Sequence, residues 1–190
     1  PLSSFFIYDE MCPILSMVSH PNFKDIPIPT WEDWERVSSI EDGKYFPKSC
    51  RDYRCDFDVK WDDKKPIAVF RGSSTGLKRI DICELNHPYI DAKITRINCR
   101  PRIIYKNNKP TLTCIKNIQH LKGKVLSSYE QSKYKYIIHM DGHTASYRIG
   151  YELGMGCVIL KFKSKYRMWC EDKLIAYNKT NIYNANYILI

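Results

Sequence analysis

Two segments of the chain combine glycine, small hydroxylated residues and arginine in patterns suited to binding phosphate. Residues 71–76 have the sequence R-G-S-S-T-G, and Arg79 follows shortly after. Residues 141–148 have the sequence D-G-H-T-A-S-Y-R. Small residues let backbone N–H groups approach phosphate oxygens, and arginine binds a diphosphate through paired hydrogen bonds. Together the two segments predict a site for a ligand that contains a diphosphate.

A second interpretation of these loops stays open. Neither loop is a G-x-G-x-x-G fingerprint or a P-loop, and turns after strands often need glycine for their geometry alone. The second segment and the strand before it carry His139 and His143 at a four-residue spacing, with Asp141 between them. On a helix this spacing suits zinc, but Gly142 predicts a turn here, which favours contact with solvent or ligand over a metal site.

The predicted elements place both loops at one edge of a sheet. The apolar runs 66–70 and 136–140 are typical of strands buried on both faces, and each ends just before one of the loops. Ligands bind at the carboxyl ends of strands in an open parallel sheet. We therefore expect the two loops to lie together.

A strand–helix–strand unit is predicted over residues 134–162. A helix from Ala145 would place Ala145, Ile149 and Leu153 on one face, and a further strand follows at 157–160. The unit indicates an α/β fold with a Rossmann-like parallel sheet. The start of this helix would add a partial positive charge to the site.

The composition limits the classes of protein to which this chain could belong. The chain has 190 residues, 44% of them hydrophobic, and a net charge of +9. We expect one domain or slightly more, no membrane span, and an anionic partner, although the excess of lysine is also explained by compositional bias. The positive charge is spread along the chain, which disfavours nucleic acid.

Cysteine and tryptophan leave further alternatives open. Eight cysteines occur without a C-x-x-C pair, so a structural zinc site is not expected, and we predict Cys157 to be a core residue. Both disulfide-bonded and free thiols remain consistent with the sequence. Three tryptophans, Trp31, Trp34 and Trp61, suit either stacking on a sugar or ordinary packing, of which packing is favoured.

Three blocks of the sequence resemble glycosyltransferase family 90, which includes Rumi-like protein O-glucosyltransferases and capsule-associated xylosyltransferases. Residues 61–79, W-D-D-K-K-P-I-A-V-F-R-G-S-S-T-G-L-K-R, resemble its W-x(n)-(A/V)-x-F-R-G-S-x-T-x(3)-R block. Residues 134–161 are similar to its K-Y-x-(hydrophobic)3-x-G-x(2)-(A/S)-S-x-R block. Residues 13–35 resemble its P-V-F-S-F-x and D-I-x-x-P-x-x-x-W-E segments. The blocks occur in the family's order, and the composition suggests a viral or protist member.

The resemblance implies a fold and a reaction. The fold would be of the GT-B type, with residues 1–60 ending the acceptor-side half and residues 61–190 forming the nucleotide-sugar half without its C-terminal closure. The reaction would be an inverting, metal-independent transfer from a nucleoside diphosphate-sugar, UDP-glucose or UDP-xylose, to a hydroxyl of a protein or glycan, with no further cofactor. The compartment would be the endoplasmic reticulum lumen or, for a viral member, the host cytoplasm.

The resemblance also implies the donor-binding residues, of which Arg79 and Arg148 would contact the diphosphate. The full set is Arg71, Gly72, Ser73, Thr75, Arg79, Gly142, Ala145, Ser146 and Arg148. The family's catalytic base is an aspartate in an R-D-(Y/F)-P motif, which residues 1–12 do not contain. Because Asp9 has a different context, we assign no catalytic residue.

Two other functions are weighed against catalysis. A donor-binding remnant would bind the nucleotide-sugar without transferring the sugar and would act as a scaffold. A basic nucleic-acid-binding protein would contact phosphates along a surface and show strong salt dependence. The motif order favours the glycosyltransferase over both.

Overall fold

The computed structural model describes residues 14–31, 33, 40–41, 44–45, 59–100, 102–113, 117–176 and 187–190. In chain order, the strands are β1 (Leu15–Ser16), β2 (Ile26–Pro27), β3 (Ile40–Glu41), β4 (Lys44–Tyr45), β5 (Lys65–Ser73), β6 (Ile90–Arg96), β7 (Arg102–Lys106), β8 (Lys109–Thr113), β9 (Tyr134–His139), β10 (Val158–Lys161) and β11 (Ile188–Leu189). The α-helices are α1 (Leu77–Glu84), α2 (Ser128–Ser132) and α3 (Ile149–Glu152), and short 3-10 helices cover Trp61–Asp63, Gln119–Leu121, Leu153–Met155 and Glu171–Lys173.

Five strands form one parallel sheet in the spatial order β6–β5–β9–β10–β11. The remaining strands pair two by two outside it, β1 with β2, β3 with β4 and β7 with β8. The predicted parallel sheet is therefore confirmed, and its two apolar runs are β5 and β9. These runs are continuous because helices and loops cover both faces of the central strands.

The core lies on both faces of the sheet. On one face, Phe70 of β5 packs with Ile80 of α1 and Ile138 of β9. On the other, Val69 and Ile137 pack with Met155. Neighbouring residues of a strand point to opposite faces, so β5 and β9 are each anchored from two sides. This double anchoring fixes the positions at which both strands end.

The prediction that a helix starts at Ala145 is wrong, because the helix starts at Ile149. Residues 142–148 form bends and a turn, and α3 covers only Ile149–Glu152 before a 3-10 turn that Gly156 closes at a φ of 61°. One reason is local, since Gly142 N–H donates to Thr144 O in a tight turn. The other is tertiary, since Arg148 Nη1 donates to the backbone of β5. A four-residue helix supplies no N-terminal anion site.

The helices in the described part of the chain are too short and too polar to span a membrane.

Candidate functional site

The loops after β5 and β9 meet at the topological switch point of the sheet. The chain places β6 on one side of β5 and then returns to the other side with β9. The connections on the two sides therefore run in opposite directions, which leaves a crevice beyond the carboxyl ends of β5 and β9. Ligands of open α/β sheets bind in such a crevice.

The two loops pack so closely that a Cβ atom on either of two glycines would crowd their contact. A Cβ added to Gly142 would lie 2.5 Å from Thr75 Oγ1, and one added to Gly76 would lie 3.0 Å from Asp141 O. Real Cβ atoms essentially never approach a neighbour to 2.5 Å and rarely approach one to 3.0 Å, so these glycines serve loop packing. The geometric interpretation of the glycines therefore has direct support from the contacts, while a phosphate-binding role remains a prediction.

Arg79 joins the two loops through hydrogen bonds to both of them. Its Nε donates to Asp141 O and its Nη2 to Met140 O, each at 2.9 Å, while Nη1 donates to Ser73 O at 3.3 Å and to Thr75 Oγ1 at 2.9 Å. The residue is buried. A buried guanidinium is stable only when its donors are bonded, so Arg79 holds the ends of β5 and β9 in a fixed relation.

Arg71 is also engaged by protein groups. Its Nη2 lies 2.9 Å from Asp91 Oδ2 on β6, and its Nη1 donates to Asp91 O at 2.8 Å. Burial alone would raise the pKa of Asp91, but the hydrogen bond and charge of Arg71 outweigh it and hold that pKa below its ordinary value. Arg71 therefore fastens the end of β5 to β6.

Arg148 is the arginine of the site with an unsatisfied donor. Its Nη1 donates to Arg71 O at 2.6 Å, and its Nε lies 3.4 Å from Ser146 Oγ and 3.5 Å from Glu152 Oε1. Its Nη2 is buried and has no hydrogen-bond partner among the described residues. Such a donor is costly unless a ligand accepts from it.

Behind Arg148 lies a buried acid–base pair. Glu152 Oε2 is 2.5 Å from His139 Nδ1, and both side chains are almost fully buried. Burial alone would raise the pKa of Glu152, but the charges of His139 and Arg148 outweigh it, so that pKa lies below its ordinary value. The carboxylate is thereby kept ionised beside Arg148.

The ring of Phe70 supports both arginines. The guanidinium carbons of Arg79 and Arg148 lie 5.7 Å and 5.6 Å from its centroid. A cation beside an aromatic ring is attracted by the ring's quadrupole. Phe70 thus lets two positive charges approach one another at the end of β5.

These residues surround a cavity of about 480 Å³, which we call the switch-point cavity. The structure brings all nine donor-site residues of the sequence analysis to its wall: Arg71, Gly72, Ser73, Thr75, Arg79, Gly142, Ala145, Ser146 and Arg148. Its wall also includes Gln131 and Tyr151, which the sequence did not predict. Lining a common cavity is a matter of geometry; binding of a donor by these residues stays a prediction.

The two histidines of the sequence analysis, His139 and His143, lie in different environments. His139 is buried against Glu152, whereas His143 is exposed and its Nε2 lies 3.3 Å from Asn98 Nδ2. Within the described ranges, no three histidine, cysteine or acidic side chains are grouped as metal ligands.

Trp61 lies before β5, at the opposite end of the sheet, with Lys135 Nζ 5.1 Å from its ring centroid. Trp34 is outside the described residues.

The sequence analysis missed Glu152. The signal that would have found it is its spacing, because Glu152 lies four residues after Arg148 and three after the apolar Ile149. A carboxylate at that position of a helix shares a face with both. An acidic residue placed on a buried stripe needs a cationic partner, and Arg148 is the nearest along the chain.

Comparison with known proteins identifies the family. The model of "Glycosyl transferase family 90" matches residues 5–180. "Uncharacterized protein 179R" of Invertebrate iridescent virus 6 is 38% identical over 219 residues, covering 90% of this chain and 18% of that protein. "Uncharacterized protein 035R" of Invertebrate iridescent virus 3 is 38% identical over 192 residues, covering 92% of this chain and 17% of that protein.

A relative outside the viruses carries a functional name. The "O-glucosyltransferase rumi homolog" of Aedes aegypti is 28% identical over 147 residues, covering 73% of this chain and 34% of that protein. The chain thus spans less than a fifth of the two viral relatives and about a third of the insect one. It has viral relatives, and because the family model covers most of its length, the chain belongs to glycosyl transferase family 90.

Proposed function

We propose that the chain binds a nucleoside diphosphate-sugar in the switch-point cavity and transfers the sugar to a hydroxyl group of an acceptor. The observation that carries the proposal is that Arg148 lines this cavity and that its Nη2 is buried with no hydrogen-bond partner among the described residues. A diphosphate oxygen would accept from this donor in a charge-assisted hydrogen bond. Family membership supports the same reaction class.

The three arginines of the cavity have unequal roles in this proposal. Arg148 contacts the diphosphate directly, whereas Arg79 and Arg71 act through their positive charge, because their donors are largely bonded to the protein. The hydroxyls of Ser73 and Ser146 line the cavity and supply further donors. These donors are fixed before the ligand arrives, so little reorganisation is needed during the reaction.

In the proposed reaction, an acceptor oxygen bonds to the anomeric carbon on the face opposite the diphosphate. The bond from that carbon to the phosphate oxygen breaks, the diphosphate leaves with the electron pair, and a base takes the proton of the acceptor hydroxyl. Arg148 stabilises the charge that grows on the leaving diphosphate. Since arginines supply this charge, the transfer needs no metal ion. We assign no residue as the base.

The donor we expect is UDP-glucose or UDP-xylose, and the acceptor is a protein or glycan. The proposed architecture is of the GT-B type, with residues 1–60 belonging to the acceptor-side half and 61–190 to the donor half. In that arrangement, the crevice beyond β5 and β9 faces the acceptor-side half.

The proposal is tested by thermal unfolding of the chain with UDP, GDP, ADP, UDP-glucose and UDP-xylose in the presence of a chelator. A ligand at about 100 times its Kd adds about 2.7 kcal/mol to the free energy of unfolding. We expect stabilisation by the uridine compounds. Arg148→Lys should abolish it, because lysine keeps a charge beside Glu152 but lacks the planar fork. The control is Lys133→Gln, which removes one exposed charge at the amino end of β9.

Transfer is then measured as release of UDP from the sugar donor. Stabilisation by uridine nucleotides together with UDP release supports the full proposal. Stabilisation without release, even with acceptor mixtures, supports a donor-binding scaffold instead. A folded chain that none of these nucleotides stabilises contradicts the proposal.

A further inference from the structure

A second concavity lies beside the switch-point cavity and shares a wall with it. This concavity, which we call the basic cavity, has a volume of about 1090 Å³. The shared wall consists of Thr75, Gly142, His143 and Thr144. Sugar transfer needs the acceptor oxygen within about 3–3.5 Å of the reacting carbon. Because the same four residues line both cavities, an acceptor held in the second would lie next to a donor held in the first.

The charge of the basic cavity is strongly one-sided. Four cations line it from three separate segments: Lys78, Arg100, Lys163 and Lys165. In the described part of the chain, no carboxylate lies within salt-bridge distance of any of the four. The carboxylate on its wall is Asp141, whose Oδ2 already accepts from Ser164 Oγ at 2.6 Å. The cavity therefore has an excess of uncompensated positive charge.

Two of these cations lie over aromatic rings of the same cavity. Lys78 Nζ is 5.7 Å from the Phe162 ring centroid, and Lys165 Nζ is 5.4 Å from that of Tyr166. The rings attract the ammonium groups and favour positions along the wall over positions in open solvent. Convergent cations on a concave wall raise the local concentration of an anionic ligand.

From these observations we propose that the basic cavity is the acceptor subsite and that its acceptor is an acidic glycan, bearing carboxylate or sulfate groups. This inference rests on the proposed function, since it places the acceptor opposite a sugar donor. A glycan fits better than a folded protein partner because the site is a concavity. It fits better than a nucleic acid because the cations converge on one cavity and do not follow a phosphate backbone. Thr144 on the same wall carries a hydroxyl group that suits sugar hydroxyls.

The test measures binding of four probes to the chain by calorimetry: a hexagalacturonate, a heparin-derived hexasaccharide, neutral maltohexaose and a single-stranded oligonucleotide. The test variant is Lys163→Gln/Lys165→Gln, and the control Lys60→Gln/Lys133→Gln removes the same charge from exposed positions near the amino ends of β5 and β9. We expect at least one acidic glycan to bind. Its affinity should fall about tenfold or more in the test variant and less than about twofold in the control.

Three outcomes would overturn the inference. The first is that maltohexaose binds as tightly as the acidic glycans, and the second is that both double variants lose the same affinity for the acidic glycan. The third is that the oligonucleotide binds more tightly than either acidic glycan, which would indicate a nucleic-acid partner. Stabilisation by UDP is measured on the same variants and should persist in both. If UDP binds but no acidic glycan does, the acceptor inference fails and the proposed function stands. If an acidic glycan binds but UDP does not, the proposed function fails, and the acceptor role fails with it.

Discussion

His139 and Glu152 form a buried pair that links the end of β9 to α3, with Nδ1 of His139 2.5 Å from Oε2 of Glu152. The other carboxylate oxygen of Glu152 faces Nε of Arg148 at 3.5 Å. One carboxylate therefore sits between a histidine of the sheet and the arginine that lines the switch-point cavity. Arg148 lines that cavity, whereas His139 and Glu152 do not, so the pair acts on the cavity through Arg148.

Breaking this pair should destabilise the fold. Glu152→Leu removes the carboxylate that accepts from the buried His139 and faces the partly buried Arg148, and we expect a loss of about 3–5 kcal/mol. Glu152→Gln keeps a hydrogen bond and should cost less. The measurement is urea unfolding, with Glu84→Gln as the control because Glu84 is exposed. A cycle with His139→Gln should give a coupling energy of about 0.5–3 kcal/mol. Additive effects would show that the two residues do not act as a pair.

The same pair predicts a specific dependence of stability on acid. Because the pKa of Glu152 is lower in the folded chain than its ordinary value of 4.5, the unfolded state binds more protons at that site. The stabilisation from Glu152 is therefore complete above the unfolded-state pKa and is lost as the pH falls through the folded-state pKa. The wild type should lose more stability than Glu152→Gln as the pH falls below about 4.5. Parallel curves for the two proteins would contradict the assignment.

The contact between Gly142 and Thr75 gives a prediction about loop packing. In Gly142→Ala the new Cβ would lie 2.5 Å from Thr75 Oγ1, so we expect a loss of about 1–3 kcal/mol. Thr75→Ala removes the hydroxyl and should relieve part of the loss in the double variant. Gly154→Ala is the matched control, since nothing lies within 4 Å of its added Cβ. Equal effects of the two glycine substitutions in urea unfolding would rule out the steric explanation.

Arg79 is expected to act mainly through structure. Arg79→Lys cannot reproduce bonds to Asp141 O, Met140 O and Thr75 Oγ1 at once, and each charged hydrogen bond contributes about 1.5–3 kcal/mol. We expect a loss of about 2 kcal/mol or more in the free energy of unfolding. Arg96→Lys makes the same exchange at an exposed site and should change it by less than about 0.5 kcal/mol. Similar losses in both variants would mean that the bonds of Arg79 contribute little.

The sequence predicted the strands and both loops because their signals are local. The run at 66–70 is uninterrupted because Phe70 and Val69 are buried on opposite faces of β5. The four-residue spacing correctly predicted that Ala145, Ile149 and Leu153 are neighbours, and they pack in one cluster. It wrongly predicted one helix through all three. There the bond from Arg148 to the backbone of β5 decides the local structure.

The bonding of the arginines could not be predicted because it depends on tertiary contacts. Arg71 pairs with Asp91, twenty residues away, only because β5 and β6 are parallel neighbours in register. Arg79 finds its acceptors on the far loop, after β9. Residue type alone presented three equivalent cations. The contacts distinguish Arg71, which fastens β5 to β6, and Arg79, which joins the loops, from Arg148, whose Nη2 has no partner among the described residues.

The free thiols give a final prediction, which concerns their relative reactivity. Burial raises the pKa of the Cys83 thiol to about 11 and also raises the pKa values of Cys157 and Cys170. Cys99 is exposed. Since the thiolate is the reacting species, iodoacetamide at about pH 8 should label Cys99 faster than Cys83 by at least about tenfold. Peptide mass spectrometry over time follows each site, and labelling in urea supplies the unfolded reference. Equal rates for Cys83 in the folded and unfolded chain would show that α1 does not protect it.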